Sequence, residues 1–163
     1  MPPTIFSYIN TDTFAYLLQA VNSPYFLQVY VLLPLLLSAI MFNNGTANSL
    51  SLFTIVSIIA LSEEYLTFLL AMSGTIRSFI LDGGLTATEV TQALQYLDPL
   101  IRTLYTVVCT YPYFISFLQG VGFEAYADQA ILLNNSFNEM YRVYLDLSRD
   151  LHTILQNIPQ PPH

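Results

Sequence analysis

Two adjacent carboxylates, Glu63 and Glu64, stand near the middle of the most apolar run of this chain, residues 49–81. A carboxylate in such a place can take up and release a proton, or steady a cation path, at membrane depth. It can equally mark an edge that meets water. The cations near enough in sequence to balance the pair are Arg77 and Arg102. An acid at the centre of a membrane helix costs roughly 2.5–3.5 kcal/mol, so two together need partners, protonation or water. At an interface that cost mostly disappears. Glu63, Glu64, Arg77 and Arg102 are therefore read as ionisable residues that are either embedded or interfacial, with the interface favoured.

Other chemistry lacks parts. The two histidines, His152 and His163, lie near the C-terminus, too few for a three-histidine metal site and out of context for a Ser-His-Asp triad. His152 reads as a surface or capping residue. Gly83-Gly84 and Gly120-Val121-Gly122 lack the strand-turn-helix setting of a phosphate loop. The single cysteine, Cys109, sits in an apolar run and is expected to be a small buried hydrophobe. No enzyme, cofactor or metal is expected, while bound lipids are compatible with the composition.

The elements that must position the carboxylates read as helices throughout. Thr11 or Asp12 can cap a short helix ending near Asn22, and Ser23-Pro24 starts the next as N-cap and first helical residue. Residues 24–42 are apolar apart from Gln28 and Ser38 and suffice to cross a bilayer, with a kink at Pro34. Asn43-Asn44-Gly45 marks a turn. Beyond it two layouts compete. In one, a helix over 48–72 carries the acids at membrane depth; in the other, 50–61 is re-entrant and a fresh helix starts at Ser62. Asp82-Gly83-Gly84 ends the segment, and Thr86-Ala87-Thr88-Glu89 is a capping box.

Asp98-Pro99 is expected to restart the chain into a third membrane segment, 100–122, with Arg102 snorkelling to the interface. Residues 123–156 form the clearest amphipathic helix. Its apolar face, Phe137, Met140, Tyr144, Leu147, Leu151 and Ile154, recurs at three- and four-residue steps and is expected to dock on a partner helix. Glu139, Arg142, Asp146 and Arg149 opposite are spaced for i,i+3 and i,i+4 pairs. Residues 157–163 read as an extended, proline-rich tail. Tyr25, Tyr65 and Tyr105 fit interfacial belts.

Charged residues are 9% and hydrophobic residues 54% of the 163. Ordinary soluble domains carry roughly 25% charge, so a water-facing surface on all sides cannot be built from this chain. There is no lysine, and a net charge of −7 excludes a nucleic-acid partner. The start, Met1-Pro2-Pro3-Thr4-Ile5-Phe6, has neither a basic n-region nor an arginine-rich presequence pattern, which predicts insertion without a cleaved leader. Arg77 and Arg102, read as belonging to a loop over 73–103, place that loop on the side of synthesis.

Ser62-Glu63-Glu64-Tyr65-Leu66-Thr67-Phe68-Leu69-Leu70-Ala71, followed by Leu81-Asp82-Gly83, resembles the organelle-encoded b-subunit family of mitochondrial F-type ATP synthases. That family has an Asn-Glu-Glu element at the head of a membrane helix and a Leu-Asp-Gly or Leu-Asp-Glu element beyond it. The resemblance implies a membrane-anchored stator that holds the catalytic head against rotation, a mechanical role. This chain departs from the pattern in three ways: Ser62 replaces the asparagine, an extra apolar segment precedes, and the long charged stalk is missing.

Taken together, these features predict one all-α, integral membrane domain over 1–163 with about three membrane helices (24–42, 48–72 and 100–122) and a C-terminal amphipathic helix. The expected role is a non-catalytic subunit of an energy-transducing complex of the mitochondrial inner membrane, bound to other membrane subunits and the lipid bilayer. An ATP synthase stator is the first form. The alternatives are an accessory subunit of a respiratory-chain complex and a small channel or transporter component using Glu63 and Glu64.

Overall fold

The computed structural model describes residues 24–42 and 52–158, with side chains from Leu32 onward in the first stretch. The expected helix over 12–22, the Asn43-Asn44-Gly45 turn and the tail beyond Ile158 lie outside these residues. Four helices make up the described chain: α1 (Pro24–Phe42), α2 (Leu52–Asp82), α3 (Ala87–Gly120) and α4 (Glu124–Asn157). The all-α expectation holds.

The helices form a four-cornered bundle. α3 packs along α4 and along α1, and α2 packs along α4 and α1, so α1 and α4 occupy opposite corners. Successive contacts fix directions. Along α2 and α4 the pairs Glu63–Gln129, Tyr65–Phe137 and Leu69–Tyr144 rise together, so these two run parallel. Tyr111–Phe137 and Tyr105–Tyr141 make α3 antiparallel to α4.

Local signals fix the ends. Gly83 and Gly84 take φ of 72° and 78°, a left-handed conformation that side chains resist, and so end α2. Thr86 then caps α3: its Oγ1 accepts from the Glu89 N–H at 3.2 Å while the Thr86 N–H donates to Glu89 Oε1 at 3.1 Å, the expected capping box. At the other end of α3, Gly122 with φ of 84° closes a Schellman turn. The Phe123 N–H donates to Leu118 O at 2.9 Å and the Gly122 N–H to Gln119 O at 3.3 Å. The Phe123 carbonyl then accepts from Ala127 N–H, so one residue ends α3 and begins α4.

Several expectations are corrected. α2 is one helix of 31 residues with no fresh start at Ser62, whose buried hydroxyl donates to Ile58 O at 2.6 Å within the same helix. The 48–72 segment therefore continues to Asp82, and the acids lie inside the helix. α3 does not restart at Asp98-Pro99; it runs 34 residues through Pro99 and Pro112. An interior proline costs roughly 3 kcal/mol. Asp98, Pro99 and the freed Gln95 carbonyl's residue are exposed, while Leu97, Leu100 and Leu104 are buried. Burial of such side chains contributes roughly 1.5–3 kcal/mol each, enough to hold the helix through the break.

The loop imagined over 73–103 is helical apart from the connection at 83–86. Among the described residues one helix, α2, is long and apolar enough to cross a membrane, with 44% of its most apolar window buried in the bundle; 32–42 is a shorter apolar stretch. Residues 100–122 are not a separate helix, since 100–120 form the second half of α3, which begins among polar residues at Ala87.

α4 matches the amphipathic helix expected over 123–156. Its face is filled by this chain rather than by a neighbour: Phe137, Tyr144, Leu147 and Leu151 are buried against α2 and α3, and Met140 and Ile154 are half-buried beside them. The periodicity was a core signal.

Candidate functional site

The bundle's middle is organised by aromatic rings around a polar bond. Tyr111 on α3 donates its hydroxyl to Ser62 Oγ on α2 at 3.0 Å, across the diagonal of the bundle. Both residues are fully buried, and the Ser62 hydroxyl donates in turn to the Ile58 carbonyl, so each hydroxyl is satisfied where an unmet one would cost about 1–3 kcal/mol. Phe137 on α4 packs against Tyr111 at 5.4 Å and Tyr65 at 5.9 Å between ring centres, and Phe114 meets Tyr111 edge-on at 5.7 Å. Two turns along, Tyr144 donates to Leu69 O at 2.8 Å. Complete burial pushes the Tyr144 phenol well above its usual value.

Glu63 and Glu64 sit on the α2 surface beside this layer. Glu63 is exposed and accepts a 2.7 Å hydrogen bond from Gln129 Nε2 on α4; Glu64 is half-buried. Arg77 is exposed about 21 Å farther along α2, from a rise of roughly 1.5 Å per residue. Arg102 is exposed near the middle of α3 rather than at a segment end. The fold does not bring the arginines to Glu63, whose partner is a neutral amide. On α4, the ion pair formed is Arg149–Asp146 at 3.0 Å, an i,i+3 pair of the kind its polar face predicts.

Gln129, Ser62 and Tyr111 were missed by the sequence reading. Tyr111 carried a usable sign, since a phenol deep in an apolar run needs a partner. Gln129 carried none. Cys109 is exposed, against expectation, because α3 turns that side of its apolar second half outward. Tyr65, expected at an interface, is fully buried. His152 is exposed on α4, as read.

Comparison with protein-family models, curated proteins and solved structures finds no match.

Chemically, the arrangement places an exposed, amide-bound carboxylate beside a closed hydrogen-bond chain. That chain ends on the Ile58 carbonyl, so it conducts nothing onward. Among the described residues, no three His, Cys, Asp or Glu side chains converge as metal ligands. What the surface does present is asymmetry. Leu32, Leu35 and Phe42 of α1 and Leu52, Phe53 and Val56 of α2 are exposed, Phe53 at 80%. The opposite corner, α4, turns Glu124, Asp128, Glu139, Asp146 and Asp150 outward.

Proposed function

We propose that this chain is a non-catalytic, helical-bundle subunit of an organellar energy-transducing membrane complex, seated in the apolar phase along α1 and the first turns of α2. The observation that carries the reading is the charge-free corner. Pro24–Phe42 holds no charged residue, its described outer side chains include Leu32, Leu35 and Phe42, and it lies diagonally across from the charged helix α4. A helix apolar on all sides belongs in a large core or in lipid. At the edge of a four-helix bundle it needs a cover from beyond the described helices. Residues 52–62 are likewise free of charge and extend about 16 Å, half of a roughly 30 Å hydrocarbon layer, before Glu63 is reached. In this placement Glu63 and Glu64 mark the boundary with water.

Within that class, the resemblance of residues 62–71 and 81–83 to the b-subunit family supports an ATP synthase stator, a subunit that transmits force and performs no reaction. A second reading, an accessory subunit of a respiratory-chain complex, is favoured by one feature: after Leu81-Asp82-Gly83 the chain reverses into α3 instead of leaving as a stalk. A native gel of mildly solubilised source membranes, with peptide identification of the comigrating chains, tests both. Comigration with catalytic ATP synthase subunits supports the stator, and comigration with electron-transfer subunits supports the accessory role. Migration alone or as a small homo-oligomer overturns the class, and flux lost on Glu63→Gln/Glu64→Gln without loss of assembly would make the chain a channel component.

A further inference from the structure

We propose that the outer groove between α2 and α4 is the seat of a basic amphipathic helix from a different protein. The two parallel helices leave an open groove of about 290 Å³, floored by Leu66, Leu70 and Met140 and rimmed by Thr67, Ser136 and Glu139. Small-molecule sites run roughly 300–1,000 Å³, so this one accommodates a short ridge of side chains better than a whole ligand. Leu70 remains 63% exposed on its floor, an apolar contact left unmade within the chain.

Charge selects the occupant. Glu139 is exposed on one rim, and Glu63 is exposed about one turn before Thr67. Glu63 is held only by the neutral amide of Gln129, and although Arg142 follows Glu139 by one turn, the ion pair of this helix forms farther on, at Asp146–Arg149. Two carboxylates beside an apolar floor complement a helix with an apolar ridge and basic flanks. A second copy of this chain is a poor fit, because it has no lysine and its α4 face would oppose acid to acid. The groove lies on the side of the bundle away from α1 and past Glu63 along α2, on the water side of the boundary proposed above, a reading on which it rests.

The test uses the full chain in mild detergent and two fluorescent synthetic helices of about 18 residues with the same leucine ridge, one flanked by lysines and the other by glutamates at the same positions. Anisotropy titration is expected to show the lysine helix binding at least about tenfold more tightly than the glutamate helix. Glu139→Gln and Leu70→Ser should each weaken it several-fold while leaving the circular dichroism spectrum unchanged. Asp150→Asn, an equal charge change outside the groove, should leave binding intact. No binding, equal binding of both helices, or equal loss with Asp150→Asn overturns the proposal. So does displacement of the lysine helix by phosphatidylcholine vesicles, or a self-dimer abolished by Glu139→Gln; these would assign the groove to lipid or to a second copy.

Discussion

Single side chains hold the centre of this bundle through bonds that can be removed one at a time. Tyr111→Phe deletes the donor to Ser62 Oγ but leaves Ser62 bonded to Ile58 O, so no buried group is orphaned. The expected cost is about 0.5–1.5 kcal/mol, read as a fall in thermal midpoint, and in a double-mutant cycle Ser62→Ala should cost less in the Tyr111→Phe background than alone, where it orphans the Tyr111 hydroxyl. A coupling of zero would show that the two hydroxyls do not bond. Tyr144 gives a pH-dependent prediction. Its folded-state value is raised by burial, so above the ordinary tyrosine value of about 10 the unfolded chain sheds a proton that the folded chain keeps. Stability is therefore fully present below pH about 10 and declines as pH rises beyond it. Tyr144→Phe should make that decline shallower, measured as denaturation midpoints between about pH 9 and 11.5.

Helix ends are set by a few backbone requirements. Gly122 at φ of 84° has open space where a Cβ would go, so Gly122→Ala pays only for the left-handed backbone, about 1–2 kcal/mol. Because Phe123 both ends α3 and begins α4, that strain should loosen the hairpin, seen as faster amide exchange at residues 118–127 than in the parent chain. Much of this scale was legible beforehand. The Thr86–Glu89 box, the Gly83-Gly84 stop and the 3.6-residue pattern of α4 are local, and each appears where the sequence places it. The failure was the restart at Pro99, and of the two layouts open at Ser62 the single continuous helix is the one that forms. In both, a local helix-breaking signal was outweighed by apolar faces packed on helices far away in sequence.

At the scale of the whole molecule, the bundle has a charge-free corner at α1 and an acidic corner at α4, and the proposed function rests on their opposition. Leu35→Asp combined with Phe53→Asp places acids on two exposed positions of the apolar side. Since neither side chain belongs to the core, the helical content and fold should survive. Each acid costs roughly 2.5–3.5 kcal/mol if it must enter hydrocarbon. In a flotation assay with phospholipid vesicles, the parent chain should float and the double variant should remain in the lower fractions. Equal flotation would show that this face does not meet lipid.

Helix type, the caps, the shortage of charge and the amphipathic pattern of α4 were determined by the sequence alone, because each depends on residues within about two turns of one another or on composition. Only the tertiary structure decided what those helices meet. The bond between Ser62 and Tyr111 joins residues 49 apart, and that between Glu63 and Gln129 joins residues 66 apart. Neither spacing has a period that a sequence can display. The same limit explains the face of Phe137, Tyr144, Leu147 and Leu151: periodicity specifies that such a stripe must be buried, but an apolar side chain gains equally against its own chain or another's. Here α2 and α3 reach it first, because short connections hold them close at high effective concentration.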